Sequence, residues 1–148
     1  MLDPGNWIIA SLPMDSPPQL TIIVDTEEEF DWSKPHSRAN ICVDHIRSQF
    51  RAHKIYGRYG IKPTYVVDYP VATQSTAYMV LRDLYQSGLC DIGAHLHPWV
   101  NPPFDESVSV KNSYPGNLSH ALEYAKLARL TEAIEESFGI SPTIYRAG

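Results

Sequence analysis

Asp25 and Glu27 close an apolar run, Leu20-Thr-Ile-Ile-Val-Asp-Thr-Glu27, and His95 and His97 repeat the same two-residue spacing at the end of another. In an extended strand residues i and i+2 share a face, with Cα atoms roughly 6.5–7 Å apart, so each pair can aim at one point. Carboxylate oxygens and imidazole nitrogens are the donors that hold zinc while leaving a coordination position for water. The chemistry this pattern predicts is metal-dependent hydrolysis, in which the ion draws the pKa of its water from about 16 to about 7. His36, His45, His53 and His120 lack acidic partners at ligand spacing and read as surface residues.

For the two pairs to meet, they must lie at the ends of neighbouring strands. Leu20–Asp25 is a continuous β-branched run, which suits a strand buried on both faces. A polar loop over Glu28–His36 follows. From Asn40 to Tyr59 the apolar residues Ile41, Ile46, Phe50, Ile55 and Tyr59 recur at roughly helical spacing, and Gly60 caps the segment. Ile61–Asp68 reads as a second strand, with Pro63 near its start, where a missing N–H is tolerated. Thr73–Ser87 carries Tyr78, Leu81, Leu84 and Tyr85 on a helical stripe, and Leu89–His97 reads as the third strand. Asn117–Phe138 is the clearest helix, with Leu122, Ala125, Leu130, Ile134 and Phe138 as its buried side and Gly139 as its stop. Ser141–Tyr145 reads as a fourth strand.

Four strands alternating with three helices predict an α/β fold, a partial or distorted (β/α) barrel over residues 20–148, after an irregular lead-in over 1–19 that is rich in Pro, Asp and Ser. In such barrels functional residues gather at the C-terminal ends of strands. Asp25, Glu27, Asp68, His95, His97 and Arg146 all fall at those ends. Asp68 either points into the site or belongs to a plain Asp-Tyr-Pro turn. Trp99 either forms an aromatic wall for a substrate or covers the barrel rim.

At 148 residues with 43% hydrophobic and 20% charged residues, the chain has the composition of one globular domain. A net charge of −5, with the 12 Lys and Arg scattered, argues against nucleic acid as a partner. Cys42 and Cys90 form no framework and read as small buried residues. No run approaches the roughly 18–20 apolar residues of a membrane span. The first residues lack the basic and long apolar regions of a secretory signal, so a cytoplasmic location is expected.

On these residues the sequence resembles the polysaccharide deacetylase superfamily, the NodB-like carbohydrate esterases. Thr21-Ile-Ile-Val-Asp-Thr-Glu-Glu-Glu-Phe-Asp-Trp32 resembles its first motif, Asp91-Ile-Gly-Ala-His-Leu-His97 its second, and Tyr145-Arg-Ala-Gly148 the start of its third. The His-x-His-Pro-Trp sequence is similar to the WalW-type branch. The resemblance implies Asp25 as general base, Arg146 as the residue that holds it, and Glu27, His95 and His97 as ligands of a divalent metal, zinc above others. It implies a sugar or polysaccharide that loses an N- or O-acetyl group.

The family's adjacent acidic pair is here Asp25-Thr26-Glu27, which leaves Glu27 or Glu28 as the carboxylate ligand. Trp99 stands where the family has its second histidine, and His97 substitutes for it. The family's late motifs would fall beyond Gly148, which implies either a piece of a longer protein or an incomplete relative; four strands do not close a barrel, and the open sheet edge favours self-association. Two other functions fit the same residues. One is an amidohydrolase-like zinc enzyme acting on a small amide, and the other is a non-catalytic carbohydrate-binding or assembly module.

Overall fold

Four parallel strands form one sheet in the order of the chain: β1 (Ile23–Thr26), β2 (Thr64–Val67), β3 (Asp91–Leu96) and β4 (Tyr145–Ala147). The computed structural model describes residues 15, 17, 18 and 20–148, so the lead-in expected over 1–19 lies almost wholly outside the described residues. The sheet is a curled half-barrel of an α/β fold. Its register pairs Asp25 with Val66, Val66 with Gly93, and His95 with Arg146. That alignment brings the carboxyl ends of β1, β3 and β4 to one rim.

Gly93 is required where β4 approaches β3. A Cβ there would meet the Ile144 carbonyl oxygen and Val66 Cγ1, each at 2.9 Å. The close approach sets the distance between the backbones that carry His95 and Arg146.

Four α-helices accompany the strands, where three were expected: α1 (Gln49–Arg58), α2 (Tyr69–Thr73), α3 (Ser75–Gln86) and α4 (His120–Phe138). The added helix is α2. The Asp-Tyr-Pro sequence starts a helix because Asp68 caps it, accepting a hydrogen bond from the Val71 N–H at 2.9 Å, and Pro70 sits in the first turn, where its missing N–H costs nothing. The helix expected over Asn40–Tyr59 is shorter, with a 3₁₀ turn over Asp44–Ser48 leading into α1. The fourth strand does not cover Ser141–Tyr145; it begins at Tyr145, and its register with β3 runs on through Arg146 and Ala147.

Tyr65, Val67, Ile92, Ala94 and Leu96 point to the helical side and pack with Val71, Leu81, Leu130, Ile134 and Phe138. Burying each large apolar side chain among these contributes about 1.5–3 kcal/mol. The expected stripe of α1 is turned outward instead, with Phe50, Ile55 and Tyr59 exposed. Its inward residue is His53, which is buried and bonds through Nδ1 to the Tyr65 hydroxyl at 2.9 Å. A hydroxyl from the next strand makes a polar residue the better occupant of that position. Cys90 is buried as expected, whereas Cys42 is exposed in the loop before the 3₁₀ turn.

On α4 the burial follows Lys126, Leu130, Ile134 and Phe138, so the helix buries a lysine where Ala125 was expected. Lys126 Nζ donates to the carbonyls of Pro98, Asn101 and Pro103 at 3.0, 2.6 and 2.6 Å and pairs with Glu106 at 3.1 Å. It ties the loop after β3 to α4. Among the described residues no helix is long and apolar enough to cross a membrane.

Candidate metal centre

β1 ends at Thr26, and the chain continues directly through Glu27 and Glu28 across the rim toward β3. His95 lies within β3 and His97 follows its last residue, so both rings leave the same face of the strand. Glu27 Oε2 lies 3.0 Å from His95 Nε2 and 3.3 Å from His97 Nε2. Both histidines are buried, and their ring centroids are 4.6 Å apart. The side chains expected as ligands therefore converge.

The opposite nitrogens of the two rings fix what these atoms can do. His95 Nδ1 faces the Arg146 carbonyl oxygen at 3.1 Å, and His97 Nδ1 faces Glu28 Oε2 at 2.8 Å. A carbonyl or an ionised carboxylate can only accept, so each Nδ1 carries the hydrogen and donates. In the neutral rings both Nε2 atoms then present lone pairs to the Glu27 carboxylate. A cation between these three atoms, either a proton on His95 Nε2 or a metal ion, would satisfy them. Two imidazoles and a carboxylate, each imidazole oriented by an acceptor on its far side, form a group that could hold a metal ion.

The electrostatics follow from these contacts. The hydrogen bond with His95 holds the Glu27 carboxyl below its usual range, against the opposing effect of burial. Burial is the largest influence on His95 and favours the neutral ring, but the hydrogen bond and charge of Glu27, helped by Asp25, outweigh it and raise the pKa. Burial pushes His97 down to about 4 and so keeps it a neutral donor ring. Burial raises Glu28, and it raises Asp68 well above the carboxylate range.

Asp25 and Arg146, expected as base and holder, are in contact. Arg146 Nη1 donates to Asp25 Oδ1 across the sheet, and both side chains remain partly open to solvent. Of the two roles expected for Asp68, it takes the structural one, as a helix cap in place of a plain turn. It is fully buried, one oxygen capping α2 and the other accepting the Glu28 N–H at 2.7 Å, so it positions the acidic turn and has no surface to offer a substrate.

Of the two places expected for Trp99, substrate wall or cover of the rim, its burial favours the second. It is buried with its ring stacked on His97, centroids 4.3 Å apart and planes at 22°, and it backs the histidine. Of the two candidate carboxylates, Glu27 meets both Nε2 atoms, while Glu28 approaches His97 from behind. Glu28, His97 and Asp68 form a second, wholly buried group that shares His97 with the first.

No family model, curated protein or solved structure matches the chain. The convergence of Glu27, His95 and His97 therefore stands on the geometry alone.

Proposed function

We propose that the chain carries the metal-binding rim of a hydrolase that removes an acetyl group from a sugar or polysaccharide, in the manner of the NodB-like deacetylases it resembles. The observation that carries this reading is the approach of one Glu27 oxygen to Nε2 of both His95 and His97, at 3.0 and 3.3 Å. The contact of Asp25 with Arg146 on the same rim supports it further. Together they supply a ligand set and a separate, guanidinium-held carboxylate.

Glu27, His95 and His97 would hold the ion. When bound, zinc supplies Lewis acidity toward the acyl carbonyl and a water of lowered pKa. Asp25, kept apart from the ligand set by its bond to Arg146, accepts the proton of the attacking water. The guanidinium bonds Oδ1 and so fixes which carboxylate oxygen is left to face outward. Trp99 and Glu28 bracket His97 and hold its ring in one orientation.

The test is metal content together with acetyl release from a chitooligosaccharide. The protein should take up one zinc per chain and release acetate. Asp25→Asn should keep the zinc and lose turnover by about 10²–10⁴-fold, the usual contribution of a general base. His95→Ala should drop zinc well below one per chain. Full zinc retention by His95→Ala would remove the proposed centre, and hydrolysis of a cyclic amide in place of an acetylated sugar would redirect the activity to amidohydrolase chemistry.

A further inference from the structure

Cations of this acidic chain gather on one helix. Between Asp44 and Asp68 the sequence carries Arg47, Arg51, Lys54, Arg58 and Lys62 and neither Asp nor Glu, although the net charge is −5. Arg47 lies in the 3₁₀ turn, and Arg51, Lys54 and Arg58 follow on α1 at steps of three or four residues, so these four side chains form one ridge. All four are exposed, on the side of the helix away from the buried His53. Arg47 pairs with Asp44 at 3.4 Å, whereas Arg51, Lys54 and Arg58 pair with no carboxylate among the described residues. Phe50, Ile55 and Tyr59 flank the ridge and are exposed as well.

A ridge of the opposite sign lies on α4. Glu132, Glu135 and Glu136 are exposed near its carboxyl end, and no Lys or Arg occurs between Arg129 and Arg146. Glu132 is paired with Arg129, while Glu135 and Glu136 are in no ion pair among the described residues. Acids in this part of a helix face the negative end of its dipole, so they weaken α4 unless a cation approaches them. α3 packs against both α4 and the 3₁₀ turn that leads into α1, which puts the two ridges on opposite flanks of one helical layer with a helix between them.

We propose that the outer face of this helical layer is the interface of a homodimer, in which the cationic ridge of α1 docks on the acidic ridge of the second copy's α4. A two-fold axis near α3 makes the contact twice, because α4 of the first chain then meets α1 of the second. Met79, exposed in the middle of α3, lies where that axis passes. The interface uses neither edge of the sheet and none of Glu27, His95 and His97.

The two signs on one layer select this occupant. An anionic bilayer or a nucleic acid attracts α1 but repels Glu132, Glu135 and Glu136. A helix that lies in a bilayer interface also sets a continuous apolar face opposite its charges, whereas Phe50 and Ile55 stand on either side of the cations here. A surface that carries both signs in reverse order neutralises both ridges. A second copy turned about a two-fold axis supplies that surface.

The experiment is sedimentation velocity of the full chain over a range of concentrations, in about 0.05 M and about 0.5 M salt, where the screening lengths differ about threefold. Dimers are expected at the lower salt, with association at least about tenfold weaker at the higher. Arg51→Glu with Arg58→Glu sets like charges across the contact, and so does Glu135→Lys with Glu136→Lys. Each double variant alone should dimerise about 100-fold more weakly than wild type. An equal mixture of the two double variants should dimerise again, because each altered ridge then meets one of opposite sign. Far-ultraviolet circular dichroism checks that each variant folds.

A wild type that stays monomeric at the lower salt overturns the interface, and sedimentation of that monomer with phosphatidylserine vesicles would give the ridge to a bilayer. Dimerisation that survives either pair of substitutions also overturns it and assigns self-association to the sheet edges. Folded variants whose mixture stays monomeric overturn the pairing of α1 with α4.

Discussion

Glu28 Oε2 lies 2.8 Å from Nδ1 of His97, with both side chains buried, so a carboxylate stands behind the ring whose other nitrogen faces Glu27. The contact decides the tautomer of His97 and hence the direction of its lone pair. Without it the hydrogen could sit on either nitrogen, and a ring with Nε2 protonated would present a donor where a ligand is needed. Glu28 thus acts on the candidate metal site through His97.

Glu28→Ala should therefore weaken zinc binding by about 10–100-fold while leaving the stoichiometry at saturation unchanged, as expected when a residue that orients a ligand is lost. Glu28→Gln keeps an oxygen that can accept from Nδ1 and should fall between the two. Competition of each variant with a chromophoric chelator measures the affinities. Equal affinity in wild type and Glu28→Ala would mean that the ring is held by its stacking on Trp99 alone.

The strand ends were legible in the sequence because their signal is local. A β-branched run before Asp25 and the alternation of His95 and His97 are readable within a few residues, and the structure brings those ends together. What depended on distant partners was not legible. Glu28 meets Asp68 from 40 positions away and His97 from 69, and neither pairing leaves a trace in spacing. The same holds for His53, which is internal only because Tyr65 offers a hydroxyl. β4 was expected, but its bounds were misplaced for another reason: three residues paired on one side carry too short a pattern, and the register with β3 defines the strand. Lys126, by contrast, was readable. It lies midway between Leu122 and Leu130 on the i, i+4 row of α4, although lysine is rarely found buried.

Asp68 accepts two backbone N–H groups, from Glu28 and Val71, in a site without solvent. Asp68→Ala orphans both donors and removes the cap of α2, for a cost of about 3 kcal/mol. The thermal midpoint should fall by about 10 °C at this chain length. Because burial raises the Asp68 pKa so far, the neutral Asp68→Asn should cost only about 1 kcal/mol, since it keeps one acceptor and the cap. Differential scanning calorimetry distinguishes the two variants, and equal losses would mean that the charge on Asp68 carries the stability.

Burial lowers the pKa of His53, so the unfolded chain takes up a proton at higher pH than the folded protein does. The unfolded state binds more protons as pH falls through about 6.5, and stability drops with it; above that pH the contribution of His53 is fully present. Other groups titrate in the same range, so the informative quantity is the difference between wild type and His53→Gln. Urea midpoints measured at pH 8 and pH 5.5 should fall further in wild type than in His53→Gln. Parallel declines in the two proteins would show that His53 is protonated equally well folded and unfolded.

Lys126 supports the metal rim at one remove, because the three carbonyls it gathers belong to the loop that begins after His97 and carries Trp99. Lys126→Met preserves length and apolar stem but leaves three carbonyls, two of them in buried contacts, without their donor and the Glu106 side chain without its counterion. Removing one partner of a buried ion pair costs about 3–5 kcal/mol, a large share of the roughly 5–15 kcal/mol that holds a domain together. Most of that penalty is the stranded carboxylate, so Lys126→Met with Glu106→Gln should recover about half of it. Urea unfolding of the two single variants and the double variant gives the coupling. A double variant no more stable than Lys126→Met would shift the weight from Glu106 to the carbonyls, and with it the reason why α4 buries a lysine.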